Sequence, residues 1–315
     1  TRLLPAQHPR FAYQDMFDST LRTRYGLSEV FVRMIPLLLC AFAVALPARI
    51  GLVNVGGEGQ LYLGAWASSW VALSFSGLPM ALMLPAMFIA ACMGGAAWAL
   101  GPALLRAKGW LNETISTLLL NYVAILFVQY FVFGSWKDAT SANFPQSERF
   151  PPAALLPNFG DYRVHWGIFF GLAAAGLMFF VIRSTRWGFE MRAIGGNAEA
   201  ARRSGIPIGI YIVATLVIGG AMAGLAGFGE VSGIQGRLRP SVSPGYGYIG
   251  FLASWLGGHN PLTIVLMTFV LAVLTAGGDS LQINQGLPFA SVNLLMAMTL
   301  FAVLALRAKP KGERF

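Results

Sequence analysis

The polar residues that are best suited to bind or react with a ligand lie close together in an apolar part of the chain. Residues 49–60 read Arg-Ile-Gly-Leu-Val-Asn-Val-Gly-Gly-Glu-Gly-Gln, and apolar runs long enough to cross a bilayer flank them. Hydrocarbon solvates neither charges nor free backbone groups, so this stretch must pack inside protein or line a wet cavity. Asn54, Glu58 and Gln60 provide amide and carboxylate groups there. We therefore expect the functional site in this stretch.

A second polar group stands at the head of the apolar run 113–134. Glu113, Thr117 and Asn121 are four residues apart, so they share one face of a helix. Such a stripe either faces a pathway or joins helices by hydrogen bonds, and the sequence favours neither reading. Other charges are scarce in the apolar runs, which argues against a proton relay or a voltage sensor.

Motifs of nucleotide binding and catalysis are incomplete in this sequence. Residues 245–250 have the letters of GxGxxG, but no βαβ unit surrounds them, so we interpret them as a glycine hinge before a short helix. No lysine follows a phosphate-loop pattern, and Asp279 lacks the second aspartate of an intramembrane protease. The histidines and the two cysteines have no ligand spacing. We expect no enzyme activity, metal or cofactor.

The composition is that of a polytopic membrane protein. Hydrophobic residues make up 56% of the 315 residues and charged residues 11%, against roughly a quarter in soluble domains. We predict an all-α bundle of about eight spanning helices, with a re-entrant half-helix at 245–257 that is too short to cross. The predicted spans lie near 29–48, 58–76, 79–104, 113–134, 164–182, 206–231, 261–277 and 288–306.

The distribution of Lys and Arg predicts the orientation of the chain. The connection 183–205, the turn 106–108 and the tail 307–315 are basic, so we expect all three on the cytoplasmic side. Alternating crossings then place residues 1–28 outside, although they carry four arginines. We therefore expect a further helix before residue 1. The net charge of +9 is explained by these loops, and we expect no nucleic-acid partner.

Two local patterns concern packing and docking. Asn197 is a plausible N-cap for a short helix Ala198–Ser204 that ends before Gly205. A short charged helix between spans is either a docking element for a soluble partner or an ordinary solvated loop. Gly220 and Gly224 have a GxxxG spacing, which we interpret as tight internal packing rather than a dimer face.

Three stretches resemble the markers of one known family. Asn-Val-Gly-Gly-Glu-Gly-Gln at 54–60, Leu-Asn-Glu-Thr-Ile-Ser-Thr-Leu-Leu-Leu-Asn-Tyr at 111–122 and the loop 192–206 are similar to motifs of ABC-importer permeases for simple sugars and nucleosides, the nucleoside branch above all. The resemblance covers residues 26–306, and we expect a transmembrane permease domain at 29–306, with a cytoplasmic coupling loop at 183–205, in a bacterial inner membrane. It implies a paralogous second permease subunit, a cytoplasmic ATPase with two nucleotide sites and an external substrate-binding lipoprotein.

The resemblance also assigns roles to residues. It implies alternating access, and we expect a solute pathway through the bilayer lined by Asn54, Glu58, Gln60, Asn121, Tyr62 and Tyr122. The loop that couples to the ATPase would use Arg192, Gly195, Asn197, Glu199, Ala200, Arg202 and Gly205. Glu58 has a second possible role, as the structural partner of Arg49. The alternative functions are a pentose permease and a stand-alone secondary transporter or channel.

Overall fold

The computed structural model describes residues 9–141 and 144–285, with positions 290, 293, 294, 296–298, 301 and 305. The described residues are mainly helical, so the predicted all-α membrane bundle is confirmed. The helices in these ranges are α1 Pro9–Leu21, α2 Arg24–Ala48, α3 Gly57–Ser74, α4 Met80–Ala107, α5 Glu113–Phe133, α6 Gly167–Ser184, α7 Arg186–Gly196, α8 Ala198–Arg203, α9 Ile208–Glu230, α10 Tyr246–Leu256 and α11 Pro261–Gln285. A 3₁₀ turn at Pro152–Ala154 and a π-helical turn at Val231–Gln235 complete the described helical elements.

Helix α2 is the centre of the bundle. Its most apolar 18-residue window is 89% buried, which is typical of a helix that is apolar on all sides. Helices α6, α9, α10 and α11 pack around it. Six helices of the described residues are long and apolar enough to cross a membrane. The last predicted span, 288–306, lies outside the described residues apart from isolated positions.

Glycines bring α3, α4 and α9 into close contact. A Cβ on Gly64 would lie 2.2 Å from the Cα of Gly224, and a Cβ on Gly95 would lie 2.1 Å from the carbonyl oxygen of Gly220. Such distances leave no room for a side chain, so the backbones touch directly. The predicted internal role of Gly220 and Gly224 is confirmed.

Two helices begin inside the bundle rather than at its ends. Helix α10 has only 11 residues, and it starts after Gly245 with φ 100°, so the predicted half-helix is present. A Cβ on Gly250 would lie 2.6 Å from the Cβ of Cys40, in the middle of α2. Helix α3 starts beside α10, because a Cβ on Gly247 would lie 2.2 Å from the backbone nitrogen of Glu58. The two N-termini therefore meet near mid-depth.

Residues 9–28, the described part of the predicted N-terminal segment 1–28, are mostly helical. They contain α1, which packs along α11, where a Cβ on Gly277 would lie 3.0 Å from the terminal methyl group of Met16. The side of the membrane on which α1 lies stays a prediction.

Candidate functional site

The chain turns back into the bundle after α2. Gly51, with φ 79°, reverses the direction in a turn where the amide of Leu52 donates to the carbonyl of Pro47 at 3.1 Å. Residues 52–55 then run without helical structure to the start of α3. We call residues 49–56 the re-entrant segment. Its backbone groups lie outside any helix, so each needs a partner from elsewhere in the protein.

Asn54 repairs a gap that proline leaves in α2. Pro47 has no N–H, so the carbonyl of Ala43, four residues earlier, loses its helical donor. The side-chain amide of Asn54 donates to this carbonyl at 3.1 Å. Its oxygen accepts from the amide of Gly56 at 3.0 Å, and both ends of its amide pair with Gln60 at 3.2 Å. Asn54 thus ties the re-entrant segment to α2 and α3.

The polar stripe of α5 binds the backbone of the re-entrant segment and the first turn of α3. Glu113 accepts from the amide of residue 53 at 3.2 Å, Thr117 from that of residue 55 at 3.2 Å, and Asn121 from that of residue 59 at 2.8 Å. Residues 53 and 55 are two extended residues, about 6.6 Å, apart, and Glu113 and Thr117 are four helical residues, about 6 Å, apart. The two hydrogen bonds therefore match in spacing. The stripe therefore joins elements, one of the two readings left open above. Arg106 forms an ion pair with Glu113 at 2.9 Å.

Glu58 lies where the N-termini of α3 and α10 converge. Its carboxylate accepts from the amide of Gly247 at 2.7 Å, and the hydroxyl of Ser243 lies close to it. Ser243 in turn accepts from the amides that open α10, at 2.8 and 3.0 Å. Each helix N-terminus carries about half a positive charge, so a single carboxylate stabilises both. This is a structural reason for a charged residue at this depth.

The predicted pathway residues divide into a sealed group and an exposed residue. Asn54, Glu58, Gln60 and Asn121 are each at most 2% exposed, and Tyr62 is 4% exposed. Tyr122, in contrast, is 60% exposed. The guanidinium of Arg49 donates to the carbonyl of His259 at 2.5 Å, and the described residues contain no Arg49–Glu58 ion pair, so that proposed pairing is wrong. Contact of the sealed group with solute stays a prediction.

Helices α7 and α8 form an arm at the end of the bundle where α2 ends. Asn197 caps α8, since its side chain accepts from the amides of Glu199 and Ala200 at 3.0 Å, which confirms the predicted cap. Helix α8 ends one residue before the predicted Ser204, and Gly205 follows with φ 82°. Ala201 is the only buried residue of α8. We call residues 186–203 the α7–α8 arm.

The α7–α8 arm contacts the bundle at identifiable points. A Cβ on Gly195 would lie 2.2 Å from the carbonyl oxygen of Arg49, so the arm rests directly on the start of the re-entrant segment. Arg192 donates to the carbonyl of Ile182 at the end of α6. The exposed charges of α8 pair with each other instead, Arg203 with Glu199 at 3.4 Å and Arg202 with Glu199 at 3.8 Å.

Three features escaped the sequence analysis. Tyr248 is exposed beside the polar stripe, and its hydroxyl accepts from the side-chain amide of Asn121 at 3.3 Å. Arg33 of α2 forms an ion pair with Asp279 of α11. Ser243 accepts from the amides of Gly245 and Tyr246 at the start of α10, close to Glu58. The ion pair of Arg33 with Asp279 was predictable in kind from the sequence, because charged residues inside apolar runs need partners.

Comparison with known proteins gives consistent relatives. A glucose ABC transporter permease protein of Haloferax volcanii is 41% identical over 94% of this chain and 80% of its own length. A guanosine ABC transporter permease protein of Bacillus subtilis is 32% identical over 92% and 84%. A chain in the structure of PsaBC from Streptococcus pneumoniae in complex with Fab has the same fold, with a TM-score of 0.50 at 13% identity and coverage of 92% and 94%.

The family model described as "Branched-chain amino acid transport system / permease component" matches residues 26–304. This range contains the re-entrant segment, the polar stripe and the α7–α8 arm. A match over most of the chain shows that the protein is a multi-pass membrane protein that belongs to this family of permease components.

Proposed function

We propose that this chain is a permease subunit of an ATP-driven importer that carries a nucleoside or a simple sugar by alternating access. Its relatives named above are permeases for glucose and for guanosine. A sugar ring is common to both solutes. The higher identity to the glucose permease gives the sugar alternative more support than the sequence motifs alone did.

The contact between Gly195 and Arg49 is the observation that carries this proposal. It joins the α7–α8 arm to the segment that holds Asn54 and leads to Glu58. In this proposal, a movement of the arm is transmitted through this contact to the point where α3 and α10 begin. Alternating access needs such a rigid connection between an energy-supplying partner and the spans.

The arm has the form of a docking element. A cavity of about 700 Å³ lies between α7 and the start of α9, with Trp187, Phe189 and Ile206 among its walls. We propose that a cytoplasmic ATPase with two nucleotide sites binds the arm next to this cavity, through Arg202, Ala200 and neighbouring residues of α8. The other proposed partners are a paralogous permease subunit and an extracytoplasmic binding lipoprotein, in a bacterial inner membrane with the C-terminus inside.

We propose that the buried polar residues hold the structure next to the solute pathway in place. In this proposal Asn54, Glu58, Gln60 and Asn121 fix the re-entrant segment, and Tyr62 is buried as well. Tyr122 and Tyr248 are exposed aromatic side chains next to Asn121, and aromatic rings are able to stack on a base or a sugar ring. A direct contact between Glu58 and solute requires the cluster to open during transport.

Uptake with the complete transporter tests the function. Cells that lack this chain should lose uptake of one labelled solute among guanosine, uridine, ribose and glucose, and the wild-type gene should restore it. The ATPase should copurify with the wild-type chain. Arg202→Glu combined with Arg203→Glu should release it, because both side chains are largely exposed. Replacement of the exposed Arg239 by Glu, far along the chain from the arm, is the matched control. Uptake that persists without any ATPase would instead support a secondary transporter.

Glu58 has its own test. Glu58→Gln keeps an acceptor for the amide of Gly247, whereas Glu58→Ala leaves that amide unpaired at a cost of about 1–3 kcal/mol. A structural role predicts that the glutamine variant folds and transports better than the alanine variant. Equal folding with uptake abolished in both would indicate that the carboxylate contacts solute.

A further inference from the structure

The turn after α10 contains an unusual backbone conformation. Helix α10 ends at Leu256, and α11 begins at Pro261. Between them, His259 has φ 57°, and it is the only non-glycine residue with a positive φ in the part of the chain that the structure describes. The left-handed conformation is unfavourable for a residue with a Cβ, so the surroundings must hold it in place. Residues in such conformations cluster at functional sites and switch regions.

Contacts from two directions hold His259. Its amide donates to the carbonyl of Ser254 at 2.9 Å, and its Nδ1 lies 2.9 Å from the hydroxyl of Ser254. The imidazole packs edge-on against Trp255, with ring centroids 5.1 Å apart. These contacts fasten the residue to the end of α10. From the other side, the guanidinium of Arg49 donates to its carbonyl at 2.5 Å. The carbonyl of His259 thus connects Arg49 to the C-terminal end of α10.

Arg49 contacts the α7–α8 arm as well. It follows the last residue of α2, and its carbonyl oxygen is the atom against which Gly195 packs. Arg192, also in the arm, lies close enough for its positive charge to act on Arg49. One residue therefore meets the arm with its backbone and the end of α10 with its side chain.

The N-terminal end of α10 is fixed inside the bundle. Glu58 accepts from the amide of Gly247 at 2.7 Å, and a Cβ on Gly247 would lie 2.2 Å from the backbone nitrogen of Glu58. Glycines in the left-handed conformation flank the helix, Gly245 with φ 100° before it and Gly258 with φ 59° after it. The 11 residues of α10 span about 16 Å. A short helix that is fixed at one end and joined to a movable residue at the other is able to tilt about the fixed end.

A tilt of α10 would move a strip of aromatic side chains. Tyr248, Phe251 and Trp255 are the residues of α10 that are not buried, and their spacing of three and four residues places them on one face. The rings of Phe251 and Trp255 have centroids 5.9 Å apart. Trp255 contacts His259, so the far end of this strip is connected to Arg49.

We propose that Arg49 is a positioning residue in transport. It transmits a displacement of the α7–α8 arm through the carbonyl of His259 to the C-terminal end of α10, which tilts about the end held by Glu58. The inference rests on the proposed function, which supplies the ATPase that displaces the arm. It adds a second connection, made by a side chain, and names α10 as the element that moves.

Arg49→Met tests this connection in the complete transporter, reconstituted in vesicles with whichever of guanosine, uridine, ribose and glucose the wild-type complex imports. The substitution removes the donor to His259 but keeps the backbone carbonyl that contacts Gly195. Uptake per ATP hydrolysed should fall about tenfold, the rate change that corresponds to one lost hydrogen bond. Arg49→Lys keeps a charged donor and should restore most of the loss. Lys108→Met, which removes an exposed charge just after α4, should keep the wild-type ratio.

A spin label at Phe251→Cys reports the movement of α10 itself. Cys40 and Cys92 are replaced by alanine in this background. The mobility of the label should change when ATP is added to the complex with the native Arg49. The change should disappear in Arg49→Met and return in Arg49→Lys. If Arg49 only stabilised the fold, the response of the label would not depend on a donor at this position.

Three results would overturn the inference and leave the proposed function intact. They are a wild-type uptake per ATP in Arg49→Met, an equal loss in Arg49→Lys, and an unchanged response of the label in Arg49→Met. Should Arg49→Met fail to assemble, His259→Gly decides, because it keeps the carbonyl but relaxes the left-handed turn. Its uptake per ATP should also fall, and a wild-type ratio would refute the inference. Absence of any uptake by the wild-type complex would refute the proposed function itself.

Discussion

The polar cluster around Glu58 and the α7–α8 arm are opposite kinds of structure in one chain. In the cluster, Glu58 and Asn54 are almost fully buried, and their side chains bind the backbone of other elements. In α8 the charged side chains are 61–80% exposed, and within the described residues their ion pairs are with each other. The first region has no freedom to rearrange without breaking hydrogen bonds, and the second is free to meet a partner.

The difference shows that buried and exposed polar residues have different roles in this chain. Polar residues in the membrane serve here to hold a broken backbone, because hydrocarbon leaves no other partner for its amides. Charged residues outside the membrane contribute little to stability, since exposed ion pairs are worth about 0–1 kcal/mol. The two regions meet where Gly195 rests on Arg49. Substitutions in the cluster should therefore damage folding, and substitutions in the arm should damage coupling.

Gly247→Ala should have the largest effect on folding. The new methyl group would lie 2.2 Å from the backbone nitrogen of Glu58, so α3 and α10 must separate. We expect a loss of about 3 kcal/mol or more of folding free energy, the upper range for overpacking, and little folded protein. Fluorescence-detected size exclusion after heating measures this loss. Gly176→Ala in α6, with nothing within 4 Å of its Cβ, should behave as wild type. Equal stability of the two variants would show that the joint is loose.

Asn54→Ala should be the next most damaging change. It leaves the carbonyl of Ala43 without a donor and the amide of Gly56 without an acceptor. Each buried unpaired group costs about 1–3 kcal/mol, so the melting temperature in detergent should fall clearly. Asn54→Asp keeps the acceptor for Gly56 but loses the donor to Ala43, and its stability should differ from that of the alanine variant. A wild-type melting temperature for Asn54→Ala would contradict the repair of the α2 gap.

Asn197→Ala should weaken binding of the ATPase without lowering stability, the opposite of the expected effect of the cluster variants. It removes the cap of α8 at a local cost of about 1 kcal/mol, while the bundle is untouched. We expect an unchanged melting temperature and weaker copurification of the ATPase. Asn197→Ser retains a capping side chain and should bind the ATPase nearly as well as wild type. A lower melting temperature of the whole chain would mean that the arm stabilises the bundle.

The smallest effect concerns the pH dependence of the arm. The hydrogen bond from the hydroxyl of Tyr211, followed by the one from Arg186, lowers the pKa of Glu190. Because the folded-state pKa is lowered, the stabilisation from these bonds to the Glu190 carboxylate is present above the ordinary carboxyl range. It is lost as pH falls through the folded-state pKa. Tyr211→Phe should shift that loss to higher pH. The mobility of a spin label at Ala200→Cys, recorded against pH, measures it. An unchanged midpoint of the mobility change would contradict a stabilising hydrogen bond between Tyr211 and Glu190.

The sequence was sufficient for the class and for most elements. Long apolar runs predicted the spans, and Asn197 followed by charged residues predicted α8, because both signals are local. The partners of the polar residues were not predictable, since Asn121 meets the amide of residue 59 across 62 positions. The alternative role of Glu58, as the structural partner of Arg49, is not the arrangement in the structure, because the N-terminus of α10 satisfies the carboxylate and the carbonyl of His259 accepts from Arg49. Only the three-dimensional arrangement brings two helix N-termini to one carboxylate.

The coupling of ATP hydrolysis to uptake in a Gly195→Ala transporter is the most direct measurement of the central claim. The added methyl group would lie 2.2 Å from the carbonyl oxygen of Arg49, whereas nothing lies within 4 Å of a Cβ on the neighbouring Gly196. Gly195 lies in the arm at the end of the bundle, so the methyl group displaces the arm, whereas at Gly247 it separates two helices inside the bundle. We predict that Gly195→Ala assembles and hydrolyses ATP but loses most of its uptake per ATP, and that Gly196→Ala keeps both. Normal uptake per ATP by Gly195→Ala would contradict a mechanical connection between the α7–α8 arm and the polar cluster.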